Sequence, residues 1–246
     1  MRISTRCICI GFLLVLLSCS PKSTEVSQIR LGQFMLADDT VTIHLTSDDQ
    51  EQNETLAYGE LTTFEKIKPG TYQVKVFSGS QPILNKKYSF GAGGKFTLFV
   101  YGKVGGQPEV NEETNNQKLH RIVSGSEAKT SNGFLPKLDI IDEHYQGSRQ
   151  KAQVRWFNLL PFETPLQADV NKPNHIDLGA AAYGKQAKAQ SLDPGAVNLS
   201  WYSGNKINRA THEQNLKAQR LYTFFAIMDL ENSEAVKVIA AESDAE

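Results

Sequence analysis

The chain has 246 residues, enough for one large domain or two ordinary ones, with 26 Lys+Arg against 27 Asp+Glu and a formal charge of −1. That balance excludes the basic stripe a nucleic-acid binder needs to neutralise phosphates, and it disfavours strong electrostatic docking on anionic lipid or polyuronate. The only cysteines are Cys7, Cys9 and Cys19, so no thiol remains further along for a disulfide, a cysteine-ligated metal or a cysteine nucleophile.

Arg2 and Arg6 form a positive n-region, and Cys7–Leu17 is an uncharged apolar run. The run is too short for a membrane-spanning helix, which takes about 20 residues, but it suits an exported signal peptide over 1–18. It ends in L-L-S-C, Leu16 to Cys19, the pattern of a bacterial lipoprotein signal. Small Ser18 admits the peptidase and Cys19 supplies the thiol for the lipid, so the expectation is a periplasmic protein tethered to a membrane through Cys19. Residues 19–27 then read as a polar tether.

Gln28–Phe34 and Val41–Leu45 read as strands, and Asp48–Glu54 as an acidic loop. Pro69-Gly70 opens a central strand that closes at Gly79, and Lys95–Tyr101 is an aromatic-rich strand. Gly102–Gln150 is polar and turn-rich, so it reads largely as a long exposed connection. Within it, Leu119–Val123 is a candidate to close the first sheet, and Leu138–Ile141 is either a strand or an extended strap. The strand order then repeats from Ala152 to about Asp229, with Ala235–Ala240 as a last edge strand.

The repetition is a duplication. P-G-T-Y-Q-V-K-V-F-S-G, Pro69 to Gly79, stands 125 residues before P-G-A-V-N-L-S-W-Y-S-G, Pro194 to Gly204. At the same spacing Gln28-Ile29-Arg30 falls on Gln153-Val154-Arg155, Ala57-Tyr58-Gly59 on Ala182-Tyr183-Gly184, and Phe99 on Phe224. A period this long means two copies of one small domain, not a solenoid. Short strands at turn-marked intervals, with no 3.6 period, predict an all-β chain of two tandem, related antiparallel β-sandwich domains joined by a long linker. The expected bounds are 28–123 for the first domain, 124–150 for the linker and 151–246 for the second.

No reaction centre is legible. The histidines at 44, 120, 144, 175 and 212 form neither H-x-H nor H-E-x-x-H. In Asp142-Glu143-His144, consecutive side chains on a strand face opposite sides, so the cluster reads as solvated linker and not as a metal site. There is no G-x-S-x-G, Ser124-Gly125-Ser126 lies in the expected linker, and Gly91–Gly94 precedes a strand, with no helix to accept a phosphate. The expectation is a chain that is not an enzyme and uses no metal and no cofactor.

Among the aromatics, Trp201 shares the inward parity of Val197 and Leu199 and is expected in the core. Phe77 and Tyr202 share the outward parity at equivalent positions of the two copies. Trp156 and Phe157 face opposite ways, so one is core and the other exposed or covered by the linker. Phe77, Phe157 and Tyr202 are therefore the candidate contact surface.

K-L-D-I-I-D-E-H-Y-Q-G-S-R-Q-K-A-Q-V-R-W-F-N, Lys137 to Asn158, resembles the middle of the AlgF family of alginate O-acetylation accessory proteins. So do A-V-N-L-S-W-Y-S-G-N-K, Ala196 to Lys206, and R-L-Y-T-F-F-A, Arg220 to Ala226. In that family a V-R-x-x-N strand opens each half and an acidic–aromatic linker joins them; Gln28–Gln33 and the Pro69–Gly79 strand are the matching parts of the first copy. The resemblance covers most of 28–229. It implies a non-catalytic periplasmic protein that helps O-acetylate an alginate-like exopolysaccharide by binding periplasmic and membrane-bound O-acetyltransferases, with the polysaccharide as a further possible partner. The lipoprotein signal and the length of Gly102–Gly133 depart from the family pattern. The competing reading is a tandem β-sandwich surface lipoprotein with an adhesive, structural or carbohydrate-binding role.

Overall fold

The structure is a computed structural model, and it describes residues 25–37, 40–104, 134–161, 165–172, 174–204, 207–232 and 235–244. The signal segment, Cys19, Leu119–Val123, His120 and Ser124–Ser126 lie outside them. The described residues form no α-helix.

The first module contains β1 (Ser27–Leu36), β2 (Val41–Thr46), β3 (Glu51–Leu56), β4 (Glu60–Leu61), β5 (Glu65–Ile67), β6 (Gly70–Ser78), β7 (Gln81–Phe90), β8 (Lys95–Lys103) and β9 (Lys137–Asp142). The second contains β10 (Ala152–Asn158), β11 (Leu166–Lys172), β12 (Ile176–Ala181), β13 (Lys185–Gln186), β14 (Gln190–Leu192), β15 (Gly195–Ser203), β16 (Ile207–Leu216), β17 (Arg220–Met228) and β18 (Val236–Asp244). Each module is a sandwich of two sheets. One sheet has the order β3-β2-β6-β7, repeated as β12-β11-β15-β16. The other has the order β4-β1-β8-β9, with β5 also on β1, and is repeated as β13-β10-β17-β18, with β14 on β10. The two-domain all-β reading thus holds, with one addition: β1 and β8 are parallel, as are β10 and β17, while the other pairs are antiparallel.

Two corrections concern the connections. Leu138–Ile141 is a strand, the first of its two expected readings, but it belongs to the first module and not to the linker: β9 pairs with β8 from Phe96↔Asp142 to Tyr101↔Lys137 and extends that module's sheet. The constant spacing also slips by one residue. Arg30 faces Thr97 and Arg155 faces Thr223, so Thr97 corresponds to Thr223 and Phe99 to Phe225, not Phe224. The extra residue sits in the hairpin after β15, where three residues separate the strands against two after β6.

Alternation decides what each strand covers. In β6, Tyr72, Val74 and Val76 point inward, as do Val197, Leu199 and Trp201 in β15, giving the one-sided pattern of an outer sheet. By contrast β1, β8, β10 and β17 are buried along nearly their whole length. Their sheets are covered on both faces, the situation in which strands read as continuous apolar runs. One face fills a sandwich core: Ile29, Leu31, Leu98 and Val100 in the first module, Val154, Trp156, Phe224 and Ala226 in the second. The other face meets the partner module through Phe34, Phe99, Phe157 and Phe225. The molecule is a stack of four sheets, with the two inner ones face to face.

Candidate functional site

The face between the inner sheets is where the sequence concentrates its unusual chemistry. Four phenylalanines interlock there: Phe34 and Phe225 centroids lie 4.7 Å apart, Phe99 and Phe225 5.2 Å, and Phe99 and Phe157 5.5 Å in an edge arrangement. Such pairs each contribute about 0.5–1.5 kcal/mol beyond the area they bury. Phe157 is 6% exposed and belongs to this cluster, so its place in the candidate contact surface is corrected. Trp156 and Phe157 do face opposite ways, but a whole second module covers the outward side.

Beside the rings lies a buried charge cluster. After β9, Glu143 continues the ladder by donating its N–H to the Lys95 carbonyl at 2.8 Å. Alternation then sends its side chain between the modules while Asp142 and His144 stay outside. Arg30 Nη2 donates to Glu143 Oε1 at 2.8 Å and Arg155 Nη2 to Oε2 at 3.0 Å. Each arginine also donates through Nε to a threonine on the paired strand, Arg30 to Thr97 at 2.7 Å and Arg155 to Thr223 at 2.9 Å. Thr97 and Ser243 hydroxyls donate to the same carboxylate. The Glu143 side chain is wholly buried, so the solvated-linker reading of Asp142-Glu143-His144 is corrected at its middle residue. Burial lowers the Arg155 pKa, and the adjacent Glu143 opposes that shift. Arg30 also stacks on the Phe64 ring, 4.4 Å from its centroid.

Equivalent tyrosines fasten the rim. Ala57-Tyr58-Gly59 and Ala182-Tyr183-Gly184 each make a turn in which glycine takes a positive φ, 80° and 67°. In each turn the glycine N–H donates to the first strand of its module, at Gln33 and Asn158. That fixes the tyrosine to reach across to the other module. Tyr58 Oη donates to the Met228 carbonyl at 3.0 Å, while Tyr183 packs edge-on against Tyr101 at 5.6 Å. Burial raises both phenol pKa values well above the ordinary range, with nearby Asp229 and Asp139 adding to the effect.

The remaining candidates lie on the outer sheets. Phe77 and Tyr202 are both half-buried and occupy the same register position, Phe77 opposite Thr42 and Tyr202 opposite Gln167. Phe77 lies 4.9 Å from the His44 ring, and Tyr202 is hydrogen-bonded with Asn171. The four-sheet stack puts these two rings on opposite outer faces, so they cannot form one patch. Trp201 is fully buried in the second sandwich. Among the described residues, no group of three His, Cys, Asp or Glu side chains stands close enough to hold a metal ion.

The junction was missed because the acid is not repeated and its equivalent does not follow the 125-residue spacing: Ser243 of β18 stands where the first module has Glu143. The available signal was the arginine pair: Arg30 and Arg155 stand at equivalent positions inside strands, and a buried guanidinium requires an acid.

No family model and no curated protein matches this chain. Among solved structures, the C-terminal domain of AlgF from P. aeruginosa matches at 16% identity and a TM-score of 0.31, covering 38% of this chain and 99% of that one. A candidate cell adhesion protein from Bacteroides ovatus matches at 10% identity and a TM-score of 0.28, over 91% of this chain and 99% of that one. The tip fimbrial protein Mfa3 from Porphyromonas gingivalis, with a C-terminal truncation, matches at 9% identity and a TM-score of 0.29, over 89% of this chain and 99% of that one.

Proposed function

We propose that this chain is a non-catalytic accessory protein of the bacterial envelope, serving O-acetylation of an alginate-like exopolysaccharide by holding acetyltransferase partners. One observation carries the reading. Three of the five segments that resemble the AlgF family meet at the junction: Arg30 in Gln28–Gln33, Glu143 and Arg155 in Lys137–Asn158, and Thr223 in Arg220–Ala226. The other two, Pro69–Gly79 and Ala196–Lys206, are the equivalent outer strands β6 and β15, so the resemblance follows the locked junction and one repeated strand.

A rigid two-module body suits a holding role. Its outer sheets face opposite directions and carry Phe77 and Tyr202 at equivalent places, which offers two contact surfaces at a fixed separation. Lipid on Cys19 would keep them beside the membrane, where each buried acyl CH₂ contributes about 0.8 kcal/mol. Tethering of this kind raises the effective concentration of partners to about the millimolar range.

The test is the O-acetyl content of the secreted polysaccharide in a deletion strain. It falls if the reading holds and returns with the wild-type chain. Unchanged acetylation together with poor surface attachment would transfer the assignment to the adhesive-lipoprotein reading. For the tether, Cys19→Ala moves the protein from the membrane to the soluble fraction; continued membrane residence would remove the lipid anchor.

A further inference from the structure

The duplicated modules differ at one end of the sandwich. In the first module Tyr72 closes that end. Its ring is 1% exposed, lies edge-on 5.5 Å from Phe90, and holds its hydroxyl 3.0 Å from both Gln50 Oε1 and the Lys68 carbonyl. The same Gln50 oxygen accepts the Lys68 N–H at 3.0 Å, so the turn, the loop and the ring form one plug.

The second module keeps the backbone and lacks the ring. Strand pairing aligns Gly70 with Gly195 and Phe90 with Leu216, which puts Val197 in the place of Tyr72. An open pocket of about 190 Å³ lies there, lined by Val170, Leu192, Pro194, Ala196 and Val197. At its lip Ile176, 37% exposed, stands where the first module has exposed Glu51. Both replacements act in one direction: the interior residue shrinks and the lip becomes apolar. A cavity of about 150 Å³ with aliphatic walls accepts benzene, so this one has room for a phenyl or phenol ring. The Asp193 backbone also occupies the position of Lys68, whose carbonyl partners the Tyr72 hydroxyl.

We propose that this pocket docks an aromatic side chain of a partner protein, a tyrosine ring seated as Tyr72 is seated in the first module. The proposal rests on the reading of this chain as a protein that holds partners, and it gives that reading a defined anchor point. A single buried aromatic in a fitted pocket is the usual energetic centre of such a contact. The internal duplicate supplies the argument for the occupant, because the same fold fills the same space with a tyrosine when it closes it.

The test uses the ¹⁵N-labelled full chain after signal removal, titrated with p-cresol as the tyrosine side-chain probe. Amide signals of Asn174, Gly195 and Val197 should shift with a millimolar affinity, the range expected of a lone ring. Val197→Tyr, which copies the first module's own plug, should abolish the shifts and leave the rest of the spectrum in place. Ile176→Glu, an exposed change that copies Glu51, should weaken them several-fold. Absent shifts, or equal shifts in Val197→Tyr, would overturn the pocket. Acetate shifting the same amides as strongly as p-cresol would assign the pocket to a small acyl group and overturn the aromatic occupant. In cells, Val197→Tyr should lower polymer acetylation as the deletion does. Normal acetylation by a plugged variant would overturn partner docking while leaving the accessory reading intact. If the deletion itself changes nothing, the accessory reading fails while the cresol result still judges the pocket.

Discussion

Arg30 and Arg155, 125 residues apart in the chain, grip opposite oxygens of one carboxylate, Glu143, at 2.8 and 3.0 Å. Each arginine comes from the first long strand of its module and is steadied by a threonine on the parallel neighbour. The acid is held by the segment that leads from one module to the other. A connection expected to be passive is therefore the keystone of the junction.

Glu143→Gln keeps the shape and removes the charge, leaving two buried guanidinium groups without an anion. Breaking a buried ion pair from one side costs about 3–5 kcal/mol, and denaturant unfolding should show a loss of that order. The exposed pair Lys151–Asp193 is the control: Asp193→Asn should change stability by less than about 1 kcal/mol. Equal small effects would mean that Glu143 does not hold the modules together.

Phe225→Ala empties the centre of the aromatic cluster, where Phe34, Phe99 and Phe157 all meet it. A loss of about 3–5 kcal/mol is expected. Phe77→Ala, on an outer sheet, should cost far less and act on partner binding instead. Thermal unfolding of the two variants side by side separates the roles.

Tyr58 and Tyr183 are equivalent by duplication but bonded differently. Tyr58→Phe loses the bond to the Met228 carbonyl and should cost about 0.5–1.5 kcal/mol. The buried Tyr183 hydroxyl has no hydrogen-bond partner among the described residues, so Tyr183→Phe should be neutral or stabilising. Both phenols have folded pKa values raised above the ordinary value, so the folded state binds more protons at alkaline pH. Their contribution is complete below about pH 10 and is lost as pH rises beyond it. A Tyr58→Phe/Tyr183→Phe double variant should lose less stability than wild type on going above that pH.

Gln219 adopts φ 60°, the one non-glycine residue with positive φ among the described residues, at the turn where the first module uses Gly93 with φ 69°. The left-handed conformation costs an L-residue about 1–2 kcal/mol. Gln219→Gly should therefore stabilise the second module, offset in part by the freer unfolded chain. A decrease in the unfolding midpoint would show that the Gln219 side chain is needed where it stands, beside His144 and Arg149.

Much was legible in the sequence: the two copies, the strands at Gln28–Phe34, Val41–Leu45, Pro69–Gly79 and Lys95–Tyr101, the inward place of Trp201 and the opposed facing of Trp156 and Phe157, whereas Glu51–Glu54, read as acidic loop, belongs to β3. Period-2 alternation and turn residues encode these locally, and duplication repeats them. Alternation also sends Trp156 and Phe157 to opposite faces of their strand. It could not say whether water or protein covers an outward face, because that depends on how two finished sheets pack against each other. The run Phe224-Phe225-Ala226-Ile227 in β17, apolar on both parities, was the local hint that its sheet has no wet side. Only the packing of the two inner sheets decided that Phe157 is core, that Glu143 is buried between two arginines, and that the open end of the second sandwich remains accessible.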